Sequence, residues 1–168
     1  MKVVIDTNVV VSSAISSDGN PALIFEMLIL EKIKNYTTLD IIEEVREVLQ
    51  RPRIAKRLNR FQQEFILRAF EEFSERIEPA VEFSEIIEDP DDNKFLECAF
   101  SASAEYIISG DEHLLKRKEF RGIEIVSPAE FVQLMNKQKW QNIWNNIYHS
   151  KTWPWRTGSK NLSCLLDI

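Results

Sequence analysis

Asp6 closes the apolar run Lys2–Ile5, and Asp111 follows closely on a second one, Tyr106–Ile108. Apolar runs of this length read as strands buried on both faces. If the two are parallel, an acid just beyond each carboxyl end points into the crevice where such sheets bind ligands. Two further acids stand on helices. Asp92 lies in the first turn of a helix opened by Asp89-Pro90, on one face with Leu96 and Ala99. Glu44 lies on a helix whose apolar face is Ile41, Val45, Val48 and Leu49. Carboxylates gathered in one place repel one another unless something neutralises them, and a divalent cation does so. Oxygen-only ligands favour Mg²⁺ or Mn²⁺, which can lower the pKa of bound water and steady both oxygens of an in-line phosphoryl displacement. The bland reading is that an acid near a helix start is a cap. It covers Asp89, Asp91 and partly Asp92, and a solvated helix acid covers Glu44. It fits less well the two acids that close buried strands.

Other chemistries find few residues. His113 and His149 are isolated, Cys98 and Cys164 form no CxxC pair, and no Ser, His and acid set stands out. Only 4 glycines are present, with no GxGxxG and no GxxxxGK[ST]. Cys98, on an apolar helix, reads as core. No apolar run approaches the ~18 residues of a membrane span. The run before Asp6 is too short for a secretory leader, so a reducing, cytoplasmic compartment is expected.

These acids need elements to hold them. Asn20-Pro21 reads as a helix start, with Asn20 as cap and Pro21 in the first helical position. Tyr36–Thr38 reads as a short strand, and a helix is predicted over Leu39–Gln50, ended by Pro52. Phe61, Phe65, Ile66, Ala69, Phe70 and Phe73 mark another amphipathic helix. Ile77–Phe83 is weakly strand-like, Leu114-Leu115 belong to a short helix, Ile123–Val126 is a strand, and Ser127-Pro128 opens the next helix. Strands alternating with helices give an α/β fold with a parallel sheet covered on both faces.

The chain has 168 residues, 44% of them hydrophobic, enough for one domain with a sizeable core. Its net charge of −6 is unevenly spread. Arg51, Arg53, Lys56, Arg57 and Arg60 stand together without an acid, whereas Glu71–Glu78 and Glu82–Asp92 are acidic. The basic run is a solvated face or a path for nucleic-acid phosphates. After Trp140 the composition shifts. Residues 141–168 hold Trp144, Trp153, Trp155 and Tyr148 with poor periodicity, and read as an extension of a domain spanning 1–140. So many aromatic side chains are expected to pack, on the domain or on a second copy of the chain in a homodimer.

At these residues a resemblance becomes specific. Val4-Ile5-Asp6-Thr7-Asn8-Val9-Val10 resembles the opening of PIN-domain nucleases. Leu39–Leu49 is similar to that family's second acidic helix, with Glu44 at its functional acid. Asp89-Pro90-Asp91-Asp92-Asn93-Lys94-Phe95-Leu96, followed by Ala99, resembles the third motif. Ile107-Ile108-Ser109-Gly110-Asp111, followed by Leu114-Leu115, resembles the fourth, and Ser127–Phe131 looks like the end of the domain. The resemblance spans about residues 1–136, with the motifs in order. It implies a three-layer α/β/α fold and metal-dependent hydrolysis of phosphodiesters, usually in RNA. It makes Asp6, Glu44, Asp92 and Asp111 the acidic catalytic site, with Asp6, Asp92 and Asp111 as metal ligands and Asn8 orienting Asp6 or a bound water. Small members are often toxins held by a small antitoxin protein. His113 stands where many members carry a second Asp.

The leading expectation is therefore a Mg²⁺- or Mn²⁺-dependent endoribonuclease, the toxin of a toxin–antitoxin pair, with Arg51, Arg53, Lys56, Arg57 and Arg60 on the RNA path. The second is a catalytically weak module that binds a protein partner or nucleic acid. An aspartyl-phosphate phosphatase would need a second Asp two residues after Asp6, where Asn8 stands.

Overall fold

The computed structural model describes residues 1–16, 18–83 and 90–137. By its contacts the chain divides into two units, Met1–Val132 and Gln133–Ile168. Of the second only the end of one helix is described, so the Trp-rich segment 141–168 lies outside the described residues, as does Asp89.

The chain begins with β1 (Lys2–Ile5), α1 (Thr7–Ile15), α2 (Asn20–Ile29) and β2 (Lys34–Thr37). Three helices follow, α3 (Leu39–Gln50), α4 (Pro52–Ala55) and α5 (Arg60–Phe73), and then β3 (Ser74–Arg76). A 3₁₀ turn, Pro90–Asp92, leads into α6 (Asn93–Ala102). The order ends β4 (Tyr106–Ile108), α7 (Glu112–Arg117), β5 (Glu119–Phe120), β6 (Ile123–Val126) and α8 (Pro128–Lys137).

The sheet runs β3-β2-β1-β4-β6-β5, parallel throughout except that β5 returns antiparallel to β6. Val3, Val4, Ile107 and Ile108 expose nothing and Ile5 almost nothing, so successive strand residues are buried on opposite faces. That requires helices on both sides, the α/β/α arrangement. From β1 the chain moves outward to β2 and β3, then crosses back to place β4 on the other flank of β1. The carboxyl ends of β1 and β4 are thus the point where strand order reverses, which is where sheets of this kind form their crevice.

Two expectations are corrected. The cap of α2 is Gly19, not Asn20: Leu23 N–H donates to the Gly19 carbonyl, which starts the helix one residue earlier, and Asn20 lies inside it. The strand expected over Ile77–Phe83 is instead β3, Ser74–Arg76. Its ladder on β2 stops with Ile77 N–H on the Thr37 carbonyl, and Pro79 has no N–H with which to extend it. The expected parallel sheet is present, with one antiparallel addition at its edge, where the two-residue β5 is joined to β6 by the short Arg121-Gly122 turn. The short α4 and β5 had no expectation, and neither did α1. Its Val9-Val10-Val11 run is buried and β-branched, which disguises a helix. Among the described residues no helix is long and apolar enough to cross a membrane.

Candidate active site

Asp6 is the first residue beyond β1 and the N-cap of α1. It is only 4% exposed. Its Oδ1 accepts from the Asn8 backbone N–H (3.1 Å) and its Oδ2 from Asn8 Nδ2 (2.7 Å) and from the Ser109 hydroxyl. An ionised carboxylate offers about four lone-pair sites, so roughly one, on Oδ1, remains for an incoming group. Burial pushes the Asp6 carboxyl up from 3.8 to about 6. The hydrogen bonds from Ser109 and Asn8 favour the charged form and hold it lower, while the charges of Glu44 and Asp111 raise it further. These acids therefore act on one another across the crevice.

β4 supplies the other wall. Ser109, fully buried, donates to Asp6 and accepts from the Asp111 N–H (2.9 Å), linking the two acids. Asp111 caps α7 by accepting from His113 N–H (2.7 Å) on Oδ1; its side chain is partly exposed. Asn8 closes the loop: its Oδ1 accepts from Gly110 N–H (3.0 Å). A Cβ at Gly110 would sit 3.2 Å from that oxygen, so the absence of a side chain permits the close approach. Asp6 and Asp111 thus cap helices, the role the bland reading gave to other acids, while also facing the crevice.

Glu44 comes from α3, which Thr38 caps by accepting from Ile41 N–H (3.3 Å). Ile41, Ile42, Val45 and Leu49 are buried, Glu43 and Glu47 are exposed, and Glu44 is in between. This rim position follows from the helical phase. Its Oε2 accepts from Thr7 Oγ1 (2.6 Å) and from Lys94 Nζ (3.1 Å). Asp92 stands at the amino end of α6, partly exposed, and makes no capping bond to it. Arg51, Arg53, Lys56, Arg57 and Arg60 are exposed on and around α4. His113 is exposed on α7. Cys98 is core: it exposes nothing, and burial pushes its thiol up to about 12.

A sequence profile of the PIN domain matches residues 2–113. The chain belongs to the PIN-domain family. PIN domains are nucleases, so the acids stand in a hydrolase scaffold. Uncharacterized protein MJ1680 of Methanocaldococcus jannaschii is 34% identical over 148 residues, covering 82% of this chain and 93% of that protein. The fold of this PIN domain is similar to one in the crystal structure of VapBC2 from Rickettsia felis bound to a DNA fragment from their promoter. There the TM-score is 0.54 and the identity 14%, over 76% of this chain and 98% of the other.

In chemistry the donor set of this PIN domain suits a hard divalent cation: Asp6, Glu44, Asp92, Asp111, Asn8 and Ser109 offer oxygen and no thiolate or imidazole. Among the described residues, however, no three acids stand in a geometry that closes on one ion. Ser109, Gly110, Thr7 and Lys94 had no assigned role in the sequence reading. The signal for Ser109 was a small hydroxyl between a buried strand and its acid. For Lys94 it was a cation two residues after Asp92.

Proposed function

We propose that this PIN domain is a Mg²⁺- or Mn²⁺-dependent endoribonuclease, the toxin of a toxin–antitoxin pair. The observation that carries the reading is Asp6: a nearly buried carboxylate at the strand-order reversal, under the charge of Glu44 and Asp111. Keeping three acids in mutual repulsion is costly, and a cation relieves it. Asp6, Asp92 and Asp111 would hold the ion, which when bound polarises water and a phosphate oxygen. The chain's own part is positional. Asn8 and Ser109 keep Asp6 ionised and fixed in rotamer, and Glu44 waits at the rim. The exposed basic run offers phosphates a counter-charge. The likeness to VapBC2 supports an antitoxin partner through fold alone.

Mixed RNA incubated with the purified chain decides between the readings. Cleavage should need Mg²⁺ or Mn²⁺, stop with chelator, and fall by at least a hundredfold in Asp6→Asn. The second reading, a weak nuclease that mainly binds, draws on the acids' open geometry and on His113 in place of an acid. It prevails if no metal supports cleavage while RNA or a partner still binds.

A further inference from the structure

Lys94 is placed where a cation should be unwelcome. It is the second residue of α6, in the first turn, where unpaired backbone N–H groups already carry positive partial charge. Its side chain is only 20% exposed, so it also gives up hydration. What it gains is Glu44, itself 29% exposed, at 3.1 Å. The contact falls on Oε2, the oxygen that also accepts from Thr7 Oγ1, and Thr7 directly follows Asp6. One ammonium thus ties α6 to α3 and α1 at the acidic crevice.

We propose that Lys94 is the resident counter-cation of this site. It neutralises Glu44 while no divalent ion is bound and releases that carboxylate when one enters. The inference rests on the metal-dependent reading above. A lysine suits this role, because a compact charge on a flexible four-carbon stem makes a single-point contact and can swing away, as a forked guanidinium cannot so readily. Occupied by Lys94, Glu44 adds less negative potential for an incoming ion. The observed affinity is then the intrinsic affinity reduced by the fraction of time the pair is open.

Calorimetric titration of the full chain with Mn²⁺ tests this, comparing wild type, Lys94→Met and Lys94→Arg. Methionine keeps an unbranched stem beside the Phe95 ring, over which Nζ lies 5.6 Å from the centroid. Lys94→Met should bind Mn²⁺ about fivefold more tightly or better, the expected gain if the pair is closed for most of the time. It should also melt at lower temperature than wild type in chelator, with Mn²⁺ restoring more than it adds to wild type. Lys94→Arg, which keeps the charge and opens less readily, should bind Mn²⁺ no more tightly than wild type. Independently of any variant, the ¹⁵N signal of the Lys94 ammonium in wild type should move toward that of a solvent-exposed lysine as Mg²⁺ is added. Equal or weaker Mn²⁺ binding by folded Lys94→Met overturns the proposal, as does an unmoved Lys94 signal while Mg²⁺ binds. Both of those results leave the metal-dependent reading standing. Wild type that binds neither ion overturns both.

Discussion

Burial makes Asp6 hard to ionise, and the direction of the consequence is fixed. The folded-state value is raised, from 3.8 to about 6. Below about pH 4 the carboxyl is neutral in both folded and unfolded chains and has no effect. Between about pH 4 and 6 the folded chain keeps the proton that the unfolded chain has lost, so stability falls as pH rises, and the loss is complete above about pH 7. The gap corresponds to about 3 kcal/mol. In metal-free protein, wild type should therefore lose about that much stability relative to Asp6→Asn between pH 4 and 7.5, read by urea unfolding; a pH-independent difference would contradict it. Ser109 works against the shift by donating to the charged form. Ser109→Ala should push the Asp6 value higher still and move the acid limb of the cleavage profile toward alkaline pH by roughly one unit, since a bond to a charged group contributes about 1.5–3 kcal/mol. Ser109→Thr, which keeps the hydroxyl, should restore the limb. The two strand-end acids were legible in the sequence because a carboxylate closing a Val- and Ile-rich run has few ordinary explanations. Ser109 was not, because its partner Asp6 lies 103 residues away and only the β1–β4 pairing brings them together.

The same pairing logic governs the elements. β2 and β1 share only two register pairs, Lys2 with Lys34 and Val3 with Asn35. Beyond them the Asn35 side chain takes over: its Oδ1 accepts from Ile5 N–H (2.9 Å) and its Nδ2 donates to Ser74 Oγ (2.8 Å). One fully buried amide thereby fastens β1, and with it Asp6, to β2 and β3. Asn35→Leu fills the space but strands the Ile5 N–H, and should cost about 2–4 kcal/mol in thermal or urea unfolding. Asn35→Asp, which still accepts from Ile5, should recover part of that only at low pH, where the acid is neutral. α3 was legible down to its phase, because apolar residues spaced at 3.6 leave one ordering of Glu43, Glu44 and Glu47. Glu44→Gln should cost at least tenfold in cleavage. Glu47→Gln should be near neutral. Among the described residues Glu43 is bonded only to Arg46, on the exposed face, so Glu43→Gln should also be near neutral. Greater damage from Glu43→Gln or Glu47→Gln would displace Glu44 from the site. α1 was illegible for the opposite reason: a helix buried along most of its length has no polar face to reveal a period.

At the scale of the molecule, an acidic chain must still approach a polyanion. A net charge of −6 repels RNA at long range, and the crevice with Asp6, Glu44 and Asp111 repels it at short range. The five cations from Arg51 to Arg60 are exposed, and none of them pairs with an acid among the described residues. Among the described residues their charge is therefore not consumed internally. They are also not all alike in place. α5 delivers Phe73 directly into Ser74, the start of β3, so its carboxyl end lies at the end of the sheet opposite the crevice. Its 14 residues span ~20 Å, and Arg60 opens that helix, the whole length away from that end. The run thus leads from the foot of α3 toward the start of α5 and can follow a backbone over several phosphates. Each phosphate neutralised on a single strand contributes about 0.7 to the slope of log K against log salt. In a non-cleaving Asp6→Asn background, Arg53→Gln with Arg57→Gln should lower that slope by about 1.4 for a short RNA followed by fluorescence anisotropy. Affinity should fall most at low salt and the two proteins should converge at high salt, where counterion release no longer contributes. An unchanged slope would return the run to solvent, or to the docking of a protein partner, and leave the acidic site to find its substrate by other contacts.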